Sequence, residues 1–442
     1  MRKKVAVIGA GIAGLAAAYE LGKDGCEVVV YERNDHVGGR MRTDRSVEGY
    51  AVDTGAQFFY DAYENTFRLC WELGIAGLLE KFESPYGLYR NGKLHRLDPP
   101  MKNPLSFFTF KGLSASAKLK LLRLAPVILA NYKRLSLNRP DKWEPLDRED
   151  CASYTLKHLN SELLEALIQP LISGICLGEP DKVSIVVMLS GLKYQLISKL
   201  YALKGGIDTM PLKLAERCNV HLGTNVKRIV LDEGKACGVE IEKDGAKRSE
   251  DYDAVVCAVP GTAVPALIPD APGEIVSFFG HVEYSQSILV MSGLERKLMK
   301  EIYVVAVPRG NMMDTTALSE GANKSASLAP EGRGLAVSFL SGRASREKMQ
   351  ESDEKLVATA VREYKSIVPG APSPVFNRVY RWNPGLVLFN TGYISKMNRF
   401  RVDEEKVGGL FFAGDYLMTA SVEGSLTSGL RAAEMAGQYL KP

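Results

Sequence analysis

Residues 5 to 32 restrict what this chain folds into more than any other stretch. Val5-Ala6-Val7-Ile8 is a short, mostly β-branched run of the kind that fills a parallel strand buried on both faces. Gly9-Ala10-Gly11-Ile12-Ala13-Gly14 follows without a gap, and Leu15 to Leu21 then reads as helix. A second apolar run, Val28 to Tyr31, ends in Glu32, eighteen residues past Gly14. Together these make a βαβ unit in which each glycine has its own task. Gly9 makes the tight turn, Gly11 lets a diphosphate approach the backbone, and Gly14 lets the helix lie close to the strand. The phosphates rest on the helix start at Ile12 and Ala13, where free N–H groups and the helix dipole favour negative charge. Glu32 is placed to bond a ribose hydroxyl, and an acid there favours an unphosphorylated ribose.

Directly after Glu32 runs Arg33-Asn34-Asp35-His36-Val37-Gly38-Gly39-Arg40-Met41-Arg42-Thr43. This stretch resembles the second fingerprint of the flavin-dependent amine oxidase superfamily, which includes protoporphyrinogen oxidases and phytoene desaturases. The resemblance implies FAD as cofactor, with Gly38, Gly39 and Arg40 completing the diphosphate cradle. Two side-chainless residues permit close approach, and a guanidinium neutralises the diphosphate. Val52-Asp53-Thr54-Gly55-Ala56-Gln57-Phe58 is similar to the family segment that passes near the isoalloxazine ring, which implies ring contact for Gly55, Ala56, Gln57 and Phe58. Gly409 to Asp415 resembles the late family strand whose glycine and acid, here Gly414 and Asp415, meet the ribityl-phosphate region. Taken alone, Asp415 reads as a helix cap. Ser421 to Gly429 opens a last helix whose start, at Glu423, Gly424 and Ser425, is implied to point at the pyrimidine end and to favour charge on the reduced ring. Val220 to Ile229 is similar to a family strand whose Val226 equivalent meets adenine by its backbone, and Asp253 to Pro260, with Ala258, to the strand that returns beneath the cofactor.

The implied fold is α/β: a Rossmann-type FAD-binding domain interleaved with a mixed α+β substrate domain. Residues 1–60, 205–265 and 390–442 would form the first, and 61–204 and 266–389 the second. Hairpins are expected at Pro85 to Pro100 and Glu240 to Asp251, turning at Asn91-Gly92 and Asp244-Gly245. Seven cysteines, an odd number without a CxxC pair, argue against a disulfide framework and a metal site and fit a cytoplasmic setting. The glycines at 9, 11 and 14 break up the charged, apolar start, which reads as a strand and not as a signal peptide. A formal net charge of +4 over 442 residues carries no nucleic-acid footprint.

That charge is unevenly spread. Residues 102–142, a helical basic subregion, hold nine Lys or Arg against Asp141 alone, +8 locally, so the remainder sums to −4. Leu121, Leu124, Ala125, Ile128, Tyr132 and Leu135 fall on one helical face with Arg123 and Arg134 opposite, and Pro126 must kink the helix or begin a new one. Two readings stand: a basic amphipathic element resting on anionic lipid at the inner face of a membrane, or a substrate-domain helix with a solvated basic face.

Tyr89 to His95, Gly174 to Ser184 and Tyr380-Arg381-Trp382-Asn383-Pro384 lean toward the protoporphyrinogen-oxidase branch. Trp382 and Tyr380 read either as an aromatic wall at the flavin or as core. Two departures matter. His281 to Ser287, where many amine oxidases supply a lysine under the flavin, contains none. Ser421 to Gly429 looks more like the closing motif of a phytoene desaturase. The shared chemistry is hydride removal from an activated C–H, for which the protein supplies orientation and a dry pocket; no residue is assigned as acid or base. A single dinucleotide fingerprint points to oxygen, a quinone or another carrier as electron acceptor. The expected activity is oxidation of a hydrophobic, cyclic small molecule. A carotenoid-type desaturase or saturase, an amine oxidase and a non-catalytic flavin scaffold stand as alternatives.

Overall fold

The computed structural model describes residues 2–99, 103 and 105–441. Met1 at the charged start, Pro100 at the end of the first hairpin stretch, Met101, Lys102 and Pro104 at the head of the basic stretch, and Pro442 lie outside the described residues.

Five strands form a wholly parallel sheet in the order Asn219–His221, Glu27–Tyr31, Lys4–Ile8, Ala254–Cys257 and Leu410–Phe412. Residues far apart in sequence meet here because the central runs are apolar on both faces and must be covered twice. Val5, Val7, Val30, Ala254 and Val256 face two helices, Ile12–Lys23 and Val422–Leu440. Ala6, Ile8, Tyr31, Val255 and Cys257 face the other way, onto Ile229, Val239 and Ile241 of an antiparallel three-stranded meander. The two helices cross at Gly429, where a Cβ would lie 2.1 Å from the Ala13 carbonyl oxygen.

A second, seven-stranded sheet runs Pro374–Trp382, Ser287–Leu294, Gly334–Leu340, Thr315–Glu320, Val304–Ala306, Tyr86–Arg90, Lys93–Leu97. Only the Val304–Ala306 to Tyr86–Arg90 pairing is parallel. The helix Asp353–Ile367 covers one face through Leu356, Ala360, Tyr364 and Ile367. The chain is therefore α/β, a Rossmann-type unit interleaved with a mixed α+β part.

Both expected hairpins form. Asn91 and Gly92 have φ of 54° and 70°, Asp244 and Gly245 of 51° and 79°, the double left-handed turn that matches the twist of two paired strands. Two expectations change. The stretch Val220 to Ile229 is two strands in two sheets, because Gly223 (φ 63°) turns the chain between them. The basic helix breaks before Pro126, into Ala115–Leu121 and Leu124–Ala130, which places that proline in a first turn where its missing N–H costs nothing. Leu124, Ile128 and Leu135 are buried as expected, but Ala125 and Tyr132 face outward.

Candidate functional site

The first turn separates glycines that the fold needs from one that it does not. Gly9 has φ of 101°, and its N–H donates to the Tyr31 carbonyl at 2.8 Å. A Cβ at Gly14 would lie 2.0 Å from the Gly9 oxygen and 3.2 Å from the Ala258 Cβ. Ala258 thus floors the turn. Gly11 is different: its φ of −72° and ψ of 175° suit any residue, and a Cβ there would meet nothing within 4 Å. The chain gains nothing from glycine at this position unless something else occupies the space. Ile12 and Ala13 open the helix beside that space, which has no side-chain cap. Gly38 and Gly39, at φ of 98° and 54°, close it from the other side; Gly38 N–H donates to the Ala10 carbonyl at 2.8 Å. Gly11 and the Gly38-Gly39 pair, which the sequence places in a diphosphate cradle, face one another.

Glu32 is buried at the strand end, where Ala10 N–H donates to it at 2.8 Å and the Asn34 amide at 2.6 Å. The carboxylate is thus braced by the same turn it is expected to serve. Arg33, beside it, is exposed. Thr224 N–H donates to the Glu32 carbonyl at 2.8 Å, which carries the buried Val226 to the same end of the cradle.

Arg40 and Asp415, both assigned to the cofactor, meet at 2.7 Å. Arg40 also donates to the Gly385 carbonyl at 2.7 Å, and its guanidinium lies 5.6 Å from the centre of the Tyr284 ring. Burial opposes the Arg40 charge, but Asp415 and Tyr284 outweigh it and hold its pKa above the ordinary arginine value. Tyr284 donates to Asp415 at 3.1 Å; burial first, then the neighbouring carboxylate, pushes its hydroxyl far above the usual tyrosine range, so it remains a donor. The 281–287 stretch, which lacks the amine-oxidase lysine, thus supplies a tyrosine to the site instead.

Segment 52–58 runs along this arginine. Ala56 N–H donates to the Arg40 carbonyl at 3.0 Å, and a Cβ at Gly55 would lie 2.1 Å from the same oxygen. Trp382 donates its indole N–H to the Thr54 carbonyl at 2.6 Å, which sets its ring against the segment, and it also packs with Tyr380 against the core cluster of Leu289, Met291 and Val337. Gln57 folds back, its amide donating to the Asp53 and Gly55 carbonyls at 2.8 and 3.0 Å. Phe58 enters an edge-to-face group with Tyr60, Phe82 and Tyr303. A residue absent from the sequence reading joins here: Lys324, buried, pairs with Asp53 at 2.7 Å and donates to the Gln57 carbonyl at 2.8 Å.

At the C-terminal end, Gly414 N–H donates to the Ser428 hydroxyl at 2.9 Å, and Ser421 caps the last helix through Gly424 N–H at 2.9 Å. Gly424 packs on Thr419, and Ser425 remains half-buried. The Glu423 side chain serves a second helix. Its carboxylate is fully buried, accepting from Asn65 N–H (3.0 Å), Thr66 N–H (2.9 Å) and the Thr66 hydroxyl (2.8 Å). It caps the helix Glu64–Glu72, whose free N–H groups are the stronger claim on a buried anion. Glu423→Ala is expected to lose about 3 kcal/mol of stability, since three buried donors go unpaired. Thermal unfolding checks this, and the FAD content of folded protein should not change.

The sequence profile of the flavin-containing amine oxidoreductases matches residues 12–436. The chain belongs to that family. It is therefore a flavin-dependent oxidoreductase with FAD as its cofactor, and the open space at Gly11 fits a diphosphate. Mitochondrial protoporphyrinogen oxidase from Nicotiana tabacum is 25% identical to it over 99% of this chain and 95% of its own length. The 15-cis-phytoene desaturase of Synechococcus elongatus is 24% identical over 98% and 95%. Among solved structures, an Exiguobacterium protein provisionally named a protoporphyrinogen oxidase superposes with a TM-score of 0.79 at 19% identity, over 99% of both chains.

Proposed function

We propose that this family member oxidises a sizeable, hydrophobic, cyclic substrate of the porphyrinogen type. The observation that carries the reading is the end-to-end match to a protoporphyrinogen oxidase, over 95% of that protein, together with an aromatic group at the exit of the flavin-facing segment. Bound FAD supplies the hydride acceptor at its N5. This chain's residues hold and orient: Gly9, Gly11, Gly14, Gly38, Gly39 and Arg40 take the diphosphate, Glu32 and Val226 the adenosine end, and Gly414, Asp415, Gly424 and Ser425 the ribityl and pyrimidine end. Gly55, Ala56, Gln57 and Trp382 border the ring, while Phe58 and Tyr60 keep water from the reacting carbon. Burial pushes the Tyr60 hydroxyl up to about 12, so it serves as a neutral wall across the working pH range. The FAD-binding part comprises 1–60, 205–265 and 390–442, with the substrate part inserted.

A second reading, a carotenoid-type desaturase or saturase, is favoured by the closing motif at Ser421 to Gly429 and by the match to phytoene desaturase. Anaerobic addition of protoporphyrinogen, coproporphyrinogen, a carotenoid precursor and simple amines to the yellow protein separates them. Bleaching by a porphyrinogen and recolouring in air is the expected result; bleaching by the carotenoid precursor alone would replace the first reading by the second.

We also infer that residues 105–132 rest on an anionic membrane surface at its inner, cytoplasmic face. This stretch holds six of the fourteen exposed large apolar side chains among the described residues: Leu105, Phe108, Leu119, Leu122, Leu129 and Tyr132. Lys111, Arg123, Lys133 and Arg134 are exposed beside them. Apolar side chains in water with a cationic rim suit the boundary between acyl chains and anionic headgroups. No helix among the described residues is long and apolar enough to cross a membrane. Replacing Leu119, Leu122 and Leu129 together by serine should reduce co-sedimentation with phosphatidylserine vesicles at least tenfold. A native protein that never sediments with them would end this reading.

A further inference from the structure

We propose that Lys324 is a positioning residue for the flavin, holding the turn Gly55 to Phe58 in shape from the substrate-side sheet. The proposal rests on the reading that this turn borders the ring.

Lys324 lies just past the strand Thr315–Glu320, after the short turn Gly321–Asn323. That turn is itself pinned, since the Asn323 amide donates to the Met299 and Ile302 carbonyls, both at 2.9 Å. The lysine side chain is 2% exposed and its partner Asp53 4%. An ammonium has three protons to give, and three acceptors surround this one: Asp53 Oδ2 at 2.7 Å, the Gln57 carbonyl at 2.8 Å and Gln57 Oε1 at 3.3 Å. The other Asp53 oxygen accepts from the Thr43 hydroxyl at 2.7 Å and from Ile207 N–H at 2.8 Å. Both charges are thus completely satisfied.

The network joins three parts of the chain that no covalent path brings together: the 43–57 segment, the loop at 205–208 and the sheet carrying residues 315–324. Replacing a buried ion pair by apolar groups of equal volume is often neutral or stabilising, so net stability is a weak reason for this one. Geometry is the stronger one. With both Gln57 oxygens taken by Lys324, its amide nitrogen has only the Asp53 and Gly55 carbonyls within reach, and the turn closes on itself. Removing the ammonium frees the Gln57 side chain and carbonyl to rotate, and the surface presented to the ring changes.

The test compares native protein with Lys324→Met/Asp53→Asn, in which no buried charge is left alone, and with Lys324→Gln, which keeps a donor without the charge. FAD stoichiometry, the visible circular dichroism of the flavin and its two-electron midpoint potential are measured on each. The expected result for the double variant is stoichiometric FAD with an altered visible dichroism and at least a tenfold shift in the reduction equilibrium, ~30 mV for a two-electron couple. Lys324→Gln should fall between the two. Native dichroism and potential in the double variant would overturn the proposal. If the double variant does not fold, native values in Lys324→Gln overturn it and shifted values support it. Gly11→Val distinguishes this failure from failure of the site itself: a Gly11 variant that holds FAD normally removes the flavin site as drawn, and the proposal with it.

Discussion

Gly11→Val should bind FAD at least about 100-fold more weakly than the native chain, a loss of ~2.8 kcal/mol, while unfolding at the temperature of the native apoprotein. The separation of the two effects is what makes the variant informative. At φ of −72° and ψ of 175° a residue with a side chain is at ease, and its Cβ meets nothing within 4 Å, so the backbone is not strained. Only a group occupying the space between Gly11 and the Gly38-Gly39 turn would be displaced. The neighbouring glycines give no such separation. A side chain at Gly9 strains a φ of 101°, and one at Gly14 drives a carbon to 2.0 Å from the Gly9 oxygen, so both variants lose the fold before the cofactor is tested. Apoprotein titrated with FAD and followed by fluorescence quenching gives the binding constant, and calorimetry of the same samples gives the unfolding temperature. Native affinity in a well-folded Gly11→Val protein would mean that the diphosphate does not lie there.

Lys324→Met should be the most destabilising change among the charged residues discussed, by about 3–5 kcal/mol, because it leaves the Asp53 carboxylate 4% exposed and without its counter-charge. Thr43 and Ile207 still donate to one carboxylate oxygen, but the other loses its partner in a site closed to water. Adding Asp53→Asn removes the stranded charge, and the pair of substitutions should recover most of the loss. Denaturant unfolding of the three proteins measures the coupling directly. Equal losses for the single and double variants would show that the lysine contributes packing and not charge. The contrast with surface pairs is instructive. Lys23 and Glu72, at 3.1 Å, have side chains 43% and 28% exposed, and breaking that pair should change stability by less than about 1 kcal/mol.

The strand-turn-helix cradle is legible in the sequence alone. Strand, turn, helix and strand succeed one another within 5–32, and the demands on Gly9 and Gly14 are local steric ones, set by atoms a few residues away. The hairpins at Asn91-Gly92 and Asp244-Gly245 were legible for the same reason. The family resemblance carried the expectation of a shared site to Arg40, segment 52–58 and Gly414-Asp415, and the structure brings Arg40 and Asp415 into contact from 375 residues apart. What the sequence did not carry was the choice of long-range partners. Glu423 stands at the right helix start, yet its side chain serves Thr66, 357 residues away. The apolar positions of 121–135 have a helical period, but of that face Ala125 and Tyr132 meet solvent while Leu124, Ile128 and Leu135 meet the core. Lys324 carries no local signal at all, since its partner Asp53 is 271 residues distant. The sequence by itself determined the βαβ cradle and its ligand class, because backbone sterics and strand periodicity act over short spans. Only the tertiary structure decided which buried charge meets which, because a desolvated charge takes the best partner that long-range packing brings within reach.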